Sequence, residues 1–308
     1  MKRRRLLTVI LSAILLFAFP LSAFAARPTT PTLTPIEYVG LGDSIGYGMS
    51  ATAGNSYFDK FSVYLSQKAV GTSYTSSNEA WPGLTTKQLL DEIQGVLTVE
   101  TPVLLTDSKA ELPGATVVTI SIGANNLMAP LLRLVGEQYN ITYGTSTFLE
   151  EITNAINTNP RPLNAWLPWQ ILWPYSELQV ALRKGVSDFK LELPKIISNI
   201  KLLTPKAKIY HLTVYNPIYG NADLRNFIDT YIDQIDAEIK AKASTYGYTT
   251  VDVYTAFENY TGTLPLVGFD MAAIPPTYDP HPTDAGHELI FQLLKTTNEI
   301  PAPVKGRK

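Results

Sequence analysis

The feature that most constrains this chain is an alternation. Short apolar runs rich in Val, Ile and Tyr take turns with longer segments of helical periodicity. The runs read as strands over Ile36–Gly40, Thr72–Thr75, Thr116–Ile122, Lys208–Val214 and Thr249–Val253. Helical patterns fall around Tyr57–Ala69, Thr85–Leu97, Val186–Leu203, Ala222–Tyr246 and Thr283–Thr296. In Ala222–Tyr246, Leu224, Ile228, Tyr231, Ile232, Ile235 and Ile239 recur at steps of three and four, giving one apolar face. Strands separated by helices cannot pair as hairpins. They form a parallel sheet whose two faces must both be covered, so the chain should fold as an α/β layered domain.

With 45% apolar and 17% charged residues, the chain can bury the core that such a fold needs. Residues 1–26 stand apart. A basic "MKRRR", an apolar "LLTVILSAILLFAF" and small residues at Ala23–Ala25 have the order of a cleaved signal peptide. Export is therefore expected. Removing the leader leaves 21 of the 25 basic residues against 27 acidic ones, a net charge of about −6. That balance argues against nucleic acid as a partner. The absence of cysteine excludes disulfides, thiolate metal sites, a cysteine nucleophile and a lipid-modified cysteine. Residues 27–35, "RPTTPTLTP", read as an extended lead-in, and 301–308 as a tail.

One segment breaks the alternation. Residues 130–185 carry Trp166, Trp169 and Trp173, three of the four tryptophans, and read as a Trp-rich insertion after the third strand. Its aromatic residues could pack the segment onto the body, or form a lid or acyl-binding surface.

The first strand of the domain runs into "YVGLGDSIGYG". A dinucleotide loop would need glycine at 45, where Ile stands, and no P-loop lysine follows. Gly42–Gly46 fits G-x-S-x-G, the elbow that presents a serine nucleophile in α/β-hydrolases. In that fold, however, the serine follows several strands, whereas Ser44 follows the first. A nucleophilic serine needs a base, a group behind the base and donors for the oxyanion. Of the three histidines, His211 lies in a strand and His287 in the last helix. His281 lies in "YDPHPTDAGH", read as a proline-stiffened loop, with Asp279 two residues upstream. A metal set of His281, Asp284 and His287 matches no familiar ligand spacing, and no metal is expected. Gly83 in "PGLTT" and Asn125 in "SIGANN" follow other strands or turns. They could supply a backbone N–H and a side-chain NH₂.

Together, Gly-Asp-Ser at 42–44, Gly83, Gly-Ala-Asn at 123–125 and His-Pro at 281–282 resemble the GDSL-type, or SGNH, esterase and lipase family, over about residues 36–297. "VYNP" at 214–217 is also similar to bacterial members. The resemblance implies a flavodoxin-like three-layer α/β/α sandwich on a five-stranded parallel sheet, filling residues 36–300. It implies Ser44 as nucleophile, and Ser44, Gly83 and Asn125 as oxyanion donors. His281 would be the base, oriented by Asp279 or by a backbone carbonyl. The family usually has its acid three residues before the histidine, where this chain has Tyr278. It also usually has an acid at the position of Asn126. The activity implied is that of a secreted serine ester hydrolase without a cofactor, acting on a small-molecule or lipid ester. The alternatives are an O-acetyl esterase acting on an acetylated polysaccharide and a non-catalytic binding protein on the same fold.

Overall fold

The computed structural model describes residues 35–299, apart from 100 and 146. The leader, most of the lead-in and the tail lie outside the described residues. A five-stranded parallel sheet runs in the order β2-β1-β3-β4-β5. Its strands are β1 (Ile36–Gly42), β2 (Tyr74–Ala80), β3 (Val117–Ser121), β4 (Lys208–Leu212) and β5 (Thr249–Val251). This is the sandwich sheet that the alternation predicts.

Both faces of the sheet are buried with a period of two. Val39, Leu41, Val118, Ile120 and Ile209 point into one core. Tyr38, Val117, Tyr210 and Leu212 point into the other. The first core is closed by α3 (Thr86–Gln94), α5 (Ala124–Tyr139), α8 (Glu177–Leu203) and α9 (Ala222–Tyr246). The second is closed by α2 (Tyr57–Lys68) and α11 (Asp284–Glu299), which pack on each other. Such two-sided burial explains why the inner strands read as near-continuous apolar runs.

Several elements differ from the sequence expectation. The second strand extends through Ala80, because its polar "SSNE" is an edge and only Ala80 is buried. A polar edge strand discourages pairing with other chains. α8 begins at Glu177, capped by Ser176, and runs through Gly185 and Pro194. Residues 130–185 are mostly helical. They finish α5, form α6 (Phe148–Thr158) and α7 (Arg161–Leu172), and begin α8. Trp166 packs against the core, whereas Trp169 (58% exposed) and Trp173 (47% exposed) stack on each other at the surface. Short helices α1 (Ser44–Tyr47), α4 (Ser108–Glu111) and α10 (Val253–Glu258) complete the described helices.

His281 does not lie in a loop. It sits in β7 (Thr277–Pro282), which pairs antiparallel with β6 (Val267–Asp270). Pro280 and Pro282 masked this strand in the sequence. Proline is tolerated in a two-stranded ribbon where no ladder N–H is required of it.

Register is what assembles the site. Gly42 stands opposite Ala80 on one side and Ser121 on the other. Three strands therefore end level, and the residues that follow each of them meet at the carboxyl edge, where open α/β sheets place their ligands.

Candidate active site

The turn after β1 is built around two neighbours of Ser44. Gly42 has φ +134°, and a Cβ there would come within 1.9 Å of the Ser121 carbonyl oxygen. Only glycine fits this close approach. Asp43 N–H then donates to that same carbonyl at 2.9 Å, and the Asp43 side chain accepts the N–H of Ile45 at 3.1 Å. Asp43 is thus the N-cap of α1, and Ser44 is its first residue. A first-turn N–H has no acceptor inside its own helix, so the Ser44 amide is available to an outside oxyanion.

Burial pushes the Asp43 carboxyl up to about 7, against the pull of the Ile45 N–H and the nearby His281. Its Oδ2 has no partner among the described residues.

Gly83 sits in the turn Trp81–Leu84, closed by Leu84 N–H on the Trp81 carbonyl at 3.3 Å. Pro82 followed by Gly83 at φ +87° is the sequence and backbone signature of a type II turn. The Trp81 N–H donates to Gly42 O at 2.9 Å, so this turn is anchored to the one that carries Ser44. Asn125 is the second residue of α5. Its Nδ2 donates one N–H to the Leu84 carbonyl at 3.1 Å, which fixes the amide and leaves its other N–H free of that bond.

His281 is buried. Its Nδ1 lies 2.5 Å from Asp279 Oδ1, and its backbone N–H donates to the same oxygen at 3.1 Å. One aspartate oxygen thus holds residue i+2 twice, an Asx-type turn stiffened by Pro280. This geometry lets an acid two residues upstream reach the ring. Burial alone would raise the Asp279 carboxyl, but hydrogen bonds from His281 and Ser50 prevail and hold it below the usual carboxylate range. An ionised carboxylate only accepts, so Nδ1 carries the proton and Nε2 is left as the basic nitrogen. Tyr278, at the position where the resembling family keeps its acid, packs edge-on against Phe269 instead.

Contacts distant in the chain join the loop that carries Ser44 to the segment that carries His281. The loop after α1 is stapled to the β7–α11 segment at three points. Met49 O faces His287 Nε2 at 3.1 Å, Ser50 Oγ donates to Asp279 Oδ2 at 2.6 Å, and Thr52 donates N–H and Oγ1 to Asp284 at 2.7 and 2.6 Å. Tyr215, from the loop after β4, donates to the Pro280 carbonyl at 2.7 Å.

The remaining histidines are occupied elsewhere. His287 Nδ1 accepts the Tyr57 N–H at 3.3 Å. His211 is fully buried in β4, with Nδ1 on Leu212 O, and burial lowers it to about 4. With Asp284 held by Thr52 and His287 by Tyr57 and Met49, these two side chains clamp loops. Among the described residues no group of three or more His, Cys, Asp or Glu side chains is placed to hold a metal.

Asn126 is structural. Its Oδ1 accepts the Thr86 N–H at 3.1 Å, and its Nδ2 donates to Thr86 Oγ1 and to the Gly185 carbonyl at 2.8 and 3.3 Å. It bolts α3 and α8 to α5.

Ser44, Gly83, Asn125 and His281 all line one cavity of about 330 Å³. A serine, a tethered imidazole and three N–H donors around one cavity form the constellation that acyl transfer requires.

No curated protein sequence matches the chain. Solved structures with the same fold do. An extracellular lipase from Streptomyces rimosus matches at 18% identity and TM-score 0.54, over 85% of this chain and 99% of that one. A lipase from a goat rumen metagenome matches at 15% and 0.54, over 85% and 96%. An acetyl xylan esterase from Geobacillus stearothermophilus matches at 18% and 0.50, over 89% and 97%. At such identities the likeness concerns the fold. The sequence itself carries the family pattern, since residues 41–289 match the model of the GDSL-like lipase/acylhydrolase family. The chain belongs to the GDSL-like lipase/acylhydrolase family and is a carboxylic ester hydrolase.

Proposed function

We propose that the chain cleaves its ester through an acyl-serine intermediate on Ser44. His281 Nε2 takes the Ser44 Oγ proton as Oγ attacks the carbonyl carbon. The oxyanion that forms is held by the N–H groups of Ser44 and Gly83 and by Asn125 Nδ2. As the intermediate collapses, the C–O bond to the alcohol breaks and the proton on Nε2 passes to the departing oxygen. Water then attacks the acyl-serine, with His281 again as base, and the acid leaves. Asp279 keeps the tautomer and supports the imidazolium through both halves.

The observation that carries this reading is the 2.5 Å contact of Asp279 with His281, which lines the same cavity as Ser44, Gly83 and Asn125. A protein that had become a binding module would have no need of an ionised acid behind its histidine. The test is hydrolysis of p-nitrophenyl butyrate. The chain should turn it over, and Ser44→Ala should abolish turnover while leaving the fold intact by circular dichroism. Turnover that survives Ser44→Ala would remove serine from the mechanism.

The proposal includes export, since residues 1–26 have the order of a cleaved leader. Recovery of the protein from the medium with an N-terminus near Ala26 would support it, and retention with an intact N-terminus would refute it. No helix among the described residues is long and apolar enough to cross a membrane.

A further inference from the structure

The cavity beside Ser44 is much larger than an acetyl group needs, and its walls are mostly apolar. At about 330 Å³ it stands at the lower end of the roughly 300–1,000 Å³ range of ligand pockets. No Asp, Glu, Lys or Arg lines it. Away from the reacting groups its wall is mostly aliphatic and aromatic, with Thr145 and Tyr143 bearing hydroxyls. Met128 and Leu132 come from α5, Phe148 and Leu149 from α6, and Ile228 and Ile232 from α9.

The direction of this wall matters. Asn125, Met128 and Leu132 fall at i, i+3 and i+7 on α5, so they share one helix face. The face starts at an oxyanion donor and continues as hydrocarbon for about 10 Å, seven residues at roughly 1.5 Å each. The carbonyl oxygen of a bound ester must sit at Asn125. A group on the carbonyl carbon that follows α5 then meets a mostly apolar wall, to which Ile228 and Ile232 of α9 also contribute. A sugar ring placed there would lose hydration from its hydroxyls with few partners in return, which is costly.

We infer that this cavity is an acyl-chain site for aliphatic acids up to about the reach of octanoyl, and that Leu132 and Leu149 set its chain-length preference. The inference rests on the reading of Ser44 as nucleophile, but its occupant can be tested apart from catalysis. The preferred substrates are esters of medium-chain fatty acids, whatever the alcohol, rather than acetyl esters of a polysaccharide. The wall belongs to α5, α6 and α9, and the exposed Trp169–Trp173 pair takes no part in it.

Two measurements decide it. The first is kcat/KM for p-nitrophenyl acetate, butyrate, hexanoate, octanoate and laurate. Burial of each methylene should raise kcat/KM about fourfold up to octanoate, after which the gain should stop. Leu132→Trp and Leu149→Trp fill the cavity from two different helices. In whichever of them folds, the octanoate-to-butyrate ratio should fall at least tenfold. The second is calorimetric binding of free octanoate to Ser44→Ala, with Leu132→Trp added in a paired variant. Octanoate should bind and the added Trp should weaken it. A profile that is flat or falls from acetate, or a ratio unchanged in both folded Trp variants, overturns the inference. If no ester is cleaved, binding that Leu132→Trp weakens upholds the acyl site while the serine mechanism fails. Without such binding the site falls as well.

Discussion

Ser50 donates a 2.6 Å hydrogen bond to Asp279, the acid that holds His281, and it does so from a left-handed backbone at φ +63°. A non-glycine residue in that region is uncommon and mildly strained. Ser50 lies six positions after Ser44, so the segment that carries Ser44 also supports the acid behind His281. Ser50→Ala should lower kcat/KM about tenfold, the worth of one hydrogen bond to a charged group. Ser50→Gly removes the same hydroxyl but relieves the backbone. If the hydroxyl matters, both variants lose alike. If only the loop conformation matters, Ser50→Gly keeps its activity while Ser50→Ala does not.

Asp279 and His281 should not be equal in effect. Asp279→Asn retains an acceptor near Nδ1 but loses the charge that supports the imidazolium. His281→Ala removes the base itself. Asp279→Asn should cost kcat about a hundredfold or more, and His281→Ala should cost more still. Kinetics on folded variants check this order. Equal losses would mean that the acid and the base act as one unit.

Much of this site was legible in the sequence, and the omissions share a cause. Ser44, Gly83 and Asn125 each follow a strand or turn whose apolar or Pro-Gly signal is local. His281 and Asp279 were found as neighbours, yet their strand was hidden by Pro280 and Pro282. Ser50 and Tyr215 were missed because their partners, Asp279 and Pro280, are distant in the chain. Helix α5 was missed because it starts on Gly-Ala-Asn-Asn and contains Pro130, both poor helix signals. The apolar side chains that α5 contributes to the cavity are hidden with it, whereas the tryptophans, which are conspicuous in the sequence, do not line the cavity. Helix Ala222–Tyr246, whose apolar spacing is regular and whose end is a left-handed Gly247, has the bounds that its sequence predicts.

Asp43 gives the fold a pH dependence with a definite sign. Its carboxyl is raised by burial to about 7 from an ordinary 3.8. Between those values the folded chain holds a proton that the unfolded chain has released. The contribution to stability is full below about pH 4 and is lost as pH rises through 7. Asp43→Asn can still cap Ile45 and does not titrate. Its melting temperature relative to wild type should therefore climb from pH 4 to 7 and then level off, by an amount worth up to about 4 kcal/mol. Thermal denaturation across that range is the check, and a difference that does not change with pH would contradict it.

Asn126 makes three buried hydrogen bonds to Thr86 and Gly185. Asn126→Ala should destabilise the fold by about 2–3 kcal/mol in urea titrations. Asn126→Asp restores the acid that the family usually has. Here it would face Thr86 Oγ1, which already donates to Glu192 at 2.5 Å, and Glu192 is raised by its own burial. Two carboxyls around one hydroxyl repel when ionised. Asn126→Asp should therefore lose more stability at pH 8 than at pH 5, whereas the deficit of Asn126→Ala should be nearly independent of pH.

If the proposed mechanism holds, Ser44 carries the acyl group. The most direct measurement is peptide mapping by mass spectrometry after reaction with an alkyl fluorophosphonate, which phosphonylates an activated serine and stops there. One adduct is expected, on the peptide that contains Ser44, and none in Ser44→Ala or after unfolding. An adduct on another residue, or none at all in a chain that still hydrolyses p-nitrophenyl esters, would contradict it.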